Sequence, residues 1–228
     1  MAKTIQIQWA PEEVVTGMLA EASETSSGVL LAHGAGAGQD HPFMVAARNG
    51  LVSRGHTVLT FNYAYTEAKR KRPDAPGKLL AVHLAAARTL AERVENVFLA
   101  GKSMGGRMGS HLAAGVDQNG KTVERFDTAG LVYFGYPLVA MGKTEPRDTS
   151  HLQQTRTRSL FLAGTRDALG PIEIVRSVVA KVPDSTLHEV PDANHSFHVP
   201  KRTGRTDDEV MGELIEVTDN WIRQTAGR

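Results

Sequence analysis

Hydrophobic and polar residues follow two alternating periods along this chain. Short runs rich in apolar and β-branched residues are separated by segments with a period near 3.6 residues, which is typical of a parallel sheet with helices on both faces. The pattern therefore predicts an α/β fold with a mostly parallel central sheet. The predicted parallel strands span residues 28–32, 56–61, 96–100, 129–134, 159–163 and 186–190. Residues 5–9 and 14–20 alternate polar and apolar side chains instead, which predicts an antiparallel edge with one face in water.

Two helical segments carry clear signals. The first is predicted to pack on the sheet through residues spaced by four and three, namely Leu80, Leu84, Ala87, Ala91 and Val94. The last helix is expected to begin with a capping box formed by Thr206 and Glu209. Its predicted buried residues are Val210, Leu214, Val217 and Trp221. The longest irregular stretch, residues 136–158, is too short for a helical lid.

Length, charge and cysteine content narrow the class of protein. The 228 residues are expected to form a single domain, residues 1–228. The net charge of +1 argues against a nucleic-acid binder, since such proteins usually carry a strong basic excess. The absence of cysteine excludes disulfides and a thiolate nucleophile. Because there is no secretory signal and no apolar run near the roughly 20 residues that cross a bilayer, we expect a cytoplasmic protein without membrane contact.

One short motif indicates the chemistry. Residues 101–105 read GKSMG, a match to G-x-S-x-G that directly follows an apolar strand and precedes a helical segment. In this context the pattern predicts a nucleophile elbow, a sharp turn that exposes the hydroxyl of Ser103. Strand and helix crowd together at such a turn, which accounts for Gly101, Gly105 and Gly106.

Two nucleotide-binding interpretations fail on spacing. A phosphate-binding loop ending at Ser103 needs glycine at position 96, which is Asn96. A dinucleotide fingerprint starting at Gly34 needs glycine at position 39, which is Gln39. We therefore expect no cofactor, and no spacing of histidines and carboxylates indicates a metal site.

A serine nucleophile needs a base, and the base needs an acid that fixes its tautomer. Such residues follow strands in the chain order Ser, Asp, His, and Asp167 and His195 satisfy that order. His198 is the alternative base, and His188 is interpreted as structural because it lies inside a predicted strand. The weaker acid candidates are Asp148, Asp184 and Asp192.

Negative charge on the attacked carbonyl needs fixed N–H donors. Met104, directly after the nucleophile, is expected to supply one, and the glycine-rich segment 33–38 the other. We place the second donor at Ala35, with Gly34 and Gly36 as alternatives that also approach the substrate. Side chains that could line the acyl pocket, with core packing as an equal alternative, are Tyr65, Tyr136 and Phe197.

These motifs together resemble the α/β-hydrolase superfamily, in particular its small dienelactone-hydrolase-like members. The segments FNYAY (61–65), RPD (72–74), GKSMGGR (101–107) and GYPL (135–138) are similar to compact bacterial hydrolases related to the α/β domain of an NSL chromatin-complex subunit. Dienelactone hydrolase itself uses a cysteine nucleophile, where this chain has Ser103. The resemblance implies the α/β-hydrolase fold without a substantial lid domain.

The expected function is hydrolysis of small carboxylic esters with short or varied acyl chains, through an acyl-enzyme formed on Ser103. One alternative is a non-catalytic interaction module that keeps the fold. Another is a thioesterase, peptidase or acyltransferase with the same triad. Two charged features stay open: the basic run at 69–72 is a solvated loop or attracts an anionic substrate, and Lys102 extends to the surface or raises the potential beside Ser103. The oligomeric state stays open as well.

Overall fold

The computed structural model describes residues 2–23 and 27–227, and an eight-stranded sheet forms its centre. The strands are β1 (Lys3–Ala10), β2 (Glu13–Ala20), β3 (Ser27–Ala32), β4 (Thr57–Phe61), β5 (Asn96–Lys102), β6 (Gly130–Phe134), β7 (Ser159–Gly164) and β8 (Ser185–Val190). Their order is β1-β2-β4-β3-β5-β6-β7-β8. β2 pairs antiparallel with β1 and with β4, and the other pairs are parallel. Each predicted strand is present, and its ends differ from the prediction by at most two residues.

Helices cover both faces of this sheet, as predicted. They are α1 (Pro42–Ser53), α2 (Ala64–Glu67), α3 (Pro76–Ala91), α4 (Met104–Ala114), α5 (Ser150–Gln154), α6 (Ile172–Val179) and α7 (Asp207–Ala226). Neighbouring strand residues alternate between the faces, so Leu30 joins the apolar cluster under α3, α4 and α6. Leu31 joins the opposite cluster, under α1 and α7.

The predicted apolar face of α3 is only partly correct. Leu80, Ala87 and Val94 are buried in the core and Leu84 packs against it, but Ala91 is exposed and Val94 lies three residues beyond the end of the helix. The buried face includes His83, which a count of apolar positions treats as polar. Tyr63 OH lies 3.0 Å from His83 Nδ1, and burial lowers the pKa of His83 to about 3, so the ring is neutral and packs like an aromatic side chain.

The start of α7 is confirmed as a capping box. Glu209 N–H donates to Thr206 Oγ1 over 3.2 Å, and Thr206 N–H donates to Glu209 Oε2 over 2.7 Å. Val210, Leu214 and Trp221 are buried as predicted, whereas Val217 is half-buried at the edge of the cluster.

The stretch 136–158 is more ordered than the sequence pattern indicates. It contains α5 and a bridge that pairs Val139 with Pro146. It forms no lid domain, as expected. The predicted single domain of residues 1–228 stays a prediction, and it includes Met1, residues 24–26 and Arg228, which lie outside the described residues. None of the helices within 2–23 and 27–227 has an apolar run of membrane-spanning length.

The sheet brings distant parts of the chain to one edge. The carboxyl ends of parallel strands lie side by side, and the loops that follow them form a crevice there. β5 ends directly before Ser103, β7 ends three residues before Asp167, and β8 ends five residues before His195. β3, which pairs with β5, ends directly before the glycine-rich segment 33–38.

Candidate active site

Ser103 occupies a strained turn between β5 and α4. Its backbone has φ 52° and ψ −116°, a conformation that side-chain-bearing residues rarely adopt. Glycines on either side allow strand and helix to approach: a Cβ at Gly105 would overlap the carbonyl of Ala32, and one at Gly101 would overlap the backbone of Gly105 and Gly106. Phe134 O accepts a hydrogen bond from Ser103 N–H over 3.1 Å. The turn therefore holds the Ser103 hydroxyl out at the carboxyl edge of the sheet.

Three side chains from separate loops form a continuous hydrogen-bonded chain. Ser103 Oγ lies 2.9 Å from His195 Nε2, and His195 Nδ1 lies 2.7 Å from Asp167 Oδ2. An ionised carboxylate only accepts hydrogen bonds, so Nδ1–H is the donor to Asp167. Nε2 of the neutral ring is then free to accept a hydrogen bond from the Ser103 hydroxyl.

The Asp167 carboxylate is held by more than His195. Its Oδ1 accepts hydrogen bonds from the N–H groups of Leu169, over 2.7 Å, and Gly170, over 3.1 Å. Burial raises the pKa of Asp167, but the hydrogen bond and charge of His195 together with these two N–H groups outweigh it, and the pKa ends below its ordinary value. Asp167 is therefore ionised at neutral pH and fixes the His195 ring.

The rival histidines and carboxylates have other partners. His198 Nδ1 lies 2.8 Å from Asp207 Oδ2, and His188 Nε2 lies 2.7 Å from Glu213 Oε1. The weaker acid candidates do not contact the Ser103 hydroxyl. Asp192 forms an ion pair with Arg202, Asp148 accepts a hydrogen bond from Ser150 N–H, and Asp184 lies in an exposed turn before β8. The described residues hold no group of three or more histidine and carboxylate side chains that could bind a metal ion.

A second serine also contacts a histidine. Ser110 Oγ lies 2.9 Å from His151 Nε2 and 3.0 Å from Tyr136 OH. Ser110 is fully buried, and its hydroxyl donates to Arg107 O over 2.7 Å. Burial and the proximity of His111 and Arg107 lower the pKa of His151 to about 3. Ser110 lies within α4 with its side chain buried, so this neutral network gives a substrate no access to the Ser110 hydroxyl.

The glycine-rich segment presents an N–H group beside Ser103. His33 Nδ1 lies 2.8 Å from Gly34 O, while His33 Nε2 accepts from Tyr63 N–H over 3.2 Å, so Nδ1–H donates to Gly34 O. Burial lowers the pKa of His33 to about 4, which keeps that tautomer neutral. In a trans peptide the N–H points opposite to the C=O. The hydrogen bond from His33 to Gly34 O therefore orients Ala35 N–H away from His33. Neither Ala35 N–H nor Met104 N–H has a hydrogen-bond acceptor among the described residues.

Two clefts meet at Ser103. The first, about 310 Å³, is mainly apolar and is lined by Phe43, Met44 and His195 together with Gly34 and Gly36. The second, about 370 Å³, is lined by Met104, Met108, Arg107 and Arg147. Residues that line both are Ala35, Ser103, Met141 and Leu169. A substrate at Ser103 would thus extend into two chemically different spaces.

The aromatic residues suggested for the acyl pocket lie in the core. Tyr65, Tyr136 and Phe197 are each less than 5% exposed and line neither cleft beside Ser103. Tyr65 OH donates to Ala35 O over 2.9 Å and so helps to fix the glycine-rich segment. Tyr136 belongs to the Ser110 network, and Phe197 stacks on Phe43. All three side chains therefore pack within the protein interior.

Lys102 is half-buried and lines the first cleft, but its ammonium group is neither exposed nor paired among the described residues. Its Nζ is buried without a hydrogen-bond partner among the described residues and lies 5.6 Å from the ring centre of Phe197. Burial lowers the pKa of Lys102 to about 8, against the attraction of Asp167. The folded protein therefore carries the cost of a poorly solvated ammonium group next to its site.

Replacing Lys102 with Met is expected to stabilise the fold in a pH-dependent way. Below pH 8 the amine is charged in both states, and a pKa lowered from 10.5 to about 8 corresponds to roughly 3 kcal/mol of burial cost that Met removes. Between pH 8 and 10.5 the unfolded chain binds more protons, so the wild type gains stability and the difference shrinks. Urea unfolding at pH 7 and pH 10 measures it, with Lys201→Met as an exposed control. An equal gain at both pH values would contradict the interpretation.

The basic run at 69–72 is solvent-exposed and lines neither cleft. Arg70 Nη2 lies 2.5 Å from Asp74 Oδ1, and Asp74 lines the edge of the second cleft. The ion pair between Arg70 and Asp74 is therefore the contact of this basic run with the site, which agrees with a solvated loop.

The sequence gives no signal for several cleft residues. His33, whose ring holds Gly34 O, is the exception: it directly precedes the glycines of the segment 33–38, and this position could have indicated its role. Phe43 lies at the start of α1, and Met141, Arg147 and Leu169 lie in loops without periodicity. Nothing in their local pattern separates them from other loop residues.

Comparisons with known proteins agree with this architecture. A family model described as an alpha/beta hydrolase domain matches residues 25–223. Dienelactone hydrolase from Anabaena variabilis superposes with a TM-score of 0.74 at 19% identity, covering 98% of this chain and 97% of that one. An alpha-beta serine hydrolase homologue from Coxiella burnetii gives 0.72 at 20% identity, covering 94% and 96%. The esterase domain of a Rhodothermus marinus protein gives 0.70 at 16% identity, covering 98% of each. These likenesses show the fold, and the family match shows that the chain belongs to the α/β-hydrolase family.

Proposed function

We propose that this protein hydrolyses small carboxylic esters through an acyl-enzyme on Ser103. The observation that carries the proposal is the chain of hydrogen bonds from Ser103 Oγ through His195 to Asp167, at the point where two clefts meet. A hydroxyl in this arrangement can lose its proton to a base as it attacks a carbonyl. The finer resemblance to proteins related to an NSL chromatin-complex subunit stays a prediction from the sequence.

The proposed reaction proceeds in two halves. His195 Nε2 takes the proton as Ser103 Oγ attacks the ester carbonyl, and Asp167 stabilises the resulting imidazolium. The oxyanion is held by the N–H groups of Met104 and Ala35, which have no acceptor in the described residues. His195 then protonates the leaving alcohol, and a water molecule activated by the same ring hydrolyses the acyl-enzyme. His195 Nε2 therefore carries every proton that is transferred in the two halves of the reaction.

Short or varied acyl chains fit the proposed site best. The clefts measure about 310 and 370 Å³, and no lid domain formed by residues 2–23 and 27–227 covers them. We therefore expect no activation by a lipid interface. A preference for long-chain triglyceride that increases at an interface would contradict this part of the proposal.

A fluorophosphonate probe tests the nucleophile directly. Such a probe forms a covalent bond only with an activated serine, so wild-type protein is expected to be labelled at Ser103 and the Ser103→Ala variant not at all. Ser110→Ala is the matched control, since Ser110 also contacts a histidine but is buried. Its labelling should equal that of the wild type.

Absence of labelling in folded protein would favour a non-catalytic module with this fold. If labelling occurs, acyl esters, thioesters and amides with the same acyl group separate an esterase from a thioesterase or a peptidase. Adding alcohol acceptors to that panel detects acyl transfer.

A further inference from the structure

Two arginines share the second cleft without a carboxylate partner. Arg107 and Arg147 both line it, and neither guanidinium forms an ion pair in residues 2–23 and 27–227. Arg107 Nη2 donates to the neutral amide oxygen of Gln118 over 3.1 Å. Arg147 Nε is buried and has no hydrogen-bond partner among those residues. Burial and the proximity of Arg147 lower the pKa of Arg107, as expected for two cations drawn together away from water.

Nearby carboxylates do not balance this pair. Asp74 lines the same cleft but pairs with Arg70. Arg107 and Arg147 also line a neighbouring cleft of about 440 Å³ together with Asp117 and Asp148. Neither carboxylate forms an ion pair with them: Asp117 accepts from the N–H groups of Asn119 and Lys121, and Asp148 accepts from Ser150. A partly buried charge without a counter-ion is costly, so an anion bound in the cleft that both arginines line would relieve both desolvation and repulsion.

Arg107 also lies close to the reacting position. Arg107 N–H donates to Ser103 O over 3.1 Å at the first turn of α4, and both residues line the second cleft. An anion held by Arg107 would therefore lie a few bonds away from a carbonyl attacked by Ser103. Arg147 approaches the same space from the loop that carries Met141.

The position of His195 determines which cleft holds the alcohol half of the ester and which holds the acyl half. His195 lines the apolar cleft and not the arginine cleft. The ring that protonates the leaving alcohol must lie beside it, so the alcohol half belongs in the apolar cleft next to Phe43. The acyl half then extends into the cleft of Arg107 and Arg147.

We propose that the substrate is a half-ester of a short dicarboxylic acid, whose free carboxylate is bound by Arg107 and Arg147. This inference rests on the proposed ester hydrolysis at Ser103. The bond between acyl carbon and alcohol oxygen breaks, the acyl carbon bonds to Ser103 Oγ, and the Ser103 proton leaves with the alcohol. Water then releases the dicarboxylate and restores the hydroxyl. The planar guanidinium suits a carboxylate because it presents parallel N–H donors.

Turnover of a matched pair of esters tests the proposal. Monoethyl glutarate carries the carboxylate, and ethyl 4-carbamoylbutanoate is its neutral carboxamide counterpart of the same shape. We expect wild-type kcat/KM to favour the carboxylate by about 10- to 100-fold, the range of one or two charge-assisted hydrogen bonds. Arg147→Gln and Arg107→Gln should each lower that ratio about tenfold. Arg156→Gln removes the same charge at an exposed position away from Ser103 and should leave the ratio unchanged.

Equal turnover of the two esters, or a ratio that neither cleft variant changes, would overturn the carboxylate assignment while leaving ester hydrolysis intact. Protection against the fluorophosphonate asks the same question without turnover. Glutarate should slow labelling of Ser103 in the wild type and lose that effect in Arg147→Gln, whereas glutaramide should have none. If glutarate does not slow the labelling of Ser103, the arginine site is overturned while the proposed ester hydrolysis stands. A protein that is neither labelled nor active removes the proposed function and this inference with it.

Discussion

Ser103→Ala is expected to lower kcat for a short-chain ester by a factor on the order of 10⁴ or more, because triad members act as a unit and the loss of one removes the acyl-enzyme path. The fold should be unaffected, since the backbone of residue 103 rather than its hydroxyl forms the turn. Initial rates on a chromogenic ester, with thermal unfolding as the check on folding, measure the effect.

Ser110→Ala is the informative control for this loss. Both serines lie near α4 and both contact a histidine, but only Ser103 reaches a cleft, and only its histidine is held by a carboxylate. The Ser110 variant should keep most of its activity. If Ser103→Ala retained more than a tenth of wild-type kcat, another nucleophile would have to be sought.

Asp167→Asn should cost about as much, roughly 10⁴ in kcat, for a different reason. The amide keeps an oxygen for the N–H groups of Leu169 and Gly170, so the loop is preserved. Its NH₂ group then faces His195 Nδ1 and favours the tautomer with the proton on Nε2, which cannot accept the Ser103 proton.

Asp192→Asn provides the comparison, since Asp192 lies three residues before His195 but pairs with Arg202. It should change kcat less than about twofold, as surface pairs contribute little. Equal losses in the Asp167 and Asp192 variants would point to disruption of the loop rather than to the tautomer of His195.

The sequence predicted the sheet and the positions of Ser103, Asp167 and His195 because their signals are local. Apolar runs mark strands buried on both faces, and each of the three residues follows such a run at the edge where parallel strands end together. The glycines around Ser103 are required by backbone contacts within the turn itself.

Side-chain direction could not be predicted in the same way. Tyr65 and Tyr136 each have an apolar ring and a polar end, and both satisfy the hydroxyl inside the protein instead of in the cleft. The buried face of α3 was predicted incompletely for a related reason, since it also includes the neutral ring of His83, which a count of apolar positions leaves out. Arg107 and Arg147 come together only through tertiary folding, across a stretch without periodicity.

The loop between the bridged residues Val139 and Pro146 has a consequence for oxidative stress. Met141 is 86% exposed and lines both clefts. Peroxide converts such a thioether to a sulfoxide, a polar group that would change the shared wall of the two clefts. Because the chain has no cysteine, that damage would not involve a thiol. A methionine sulfoxide reductase, and not a thiol reductant acting on a cysteine, would be what restores the original surface.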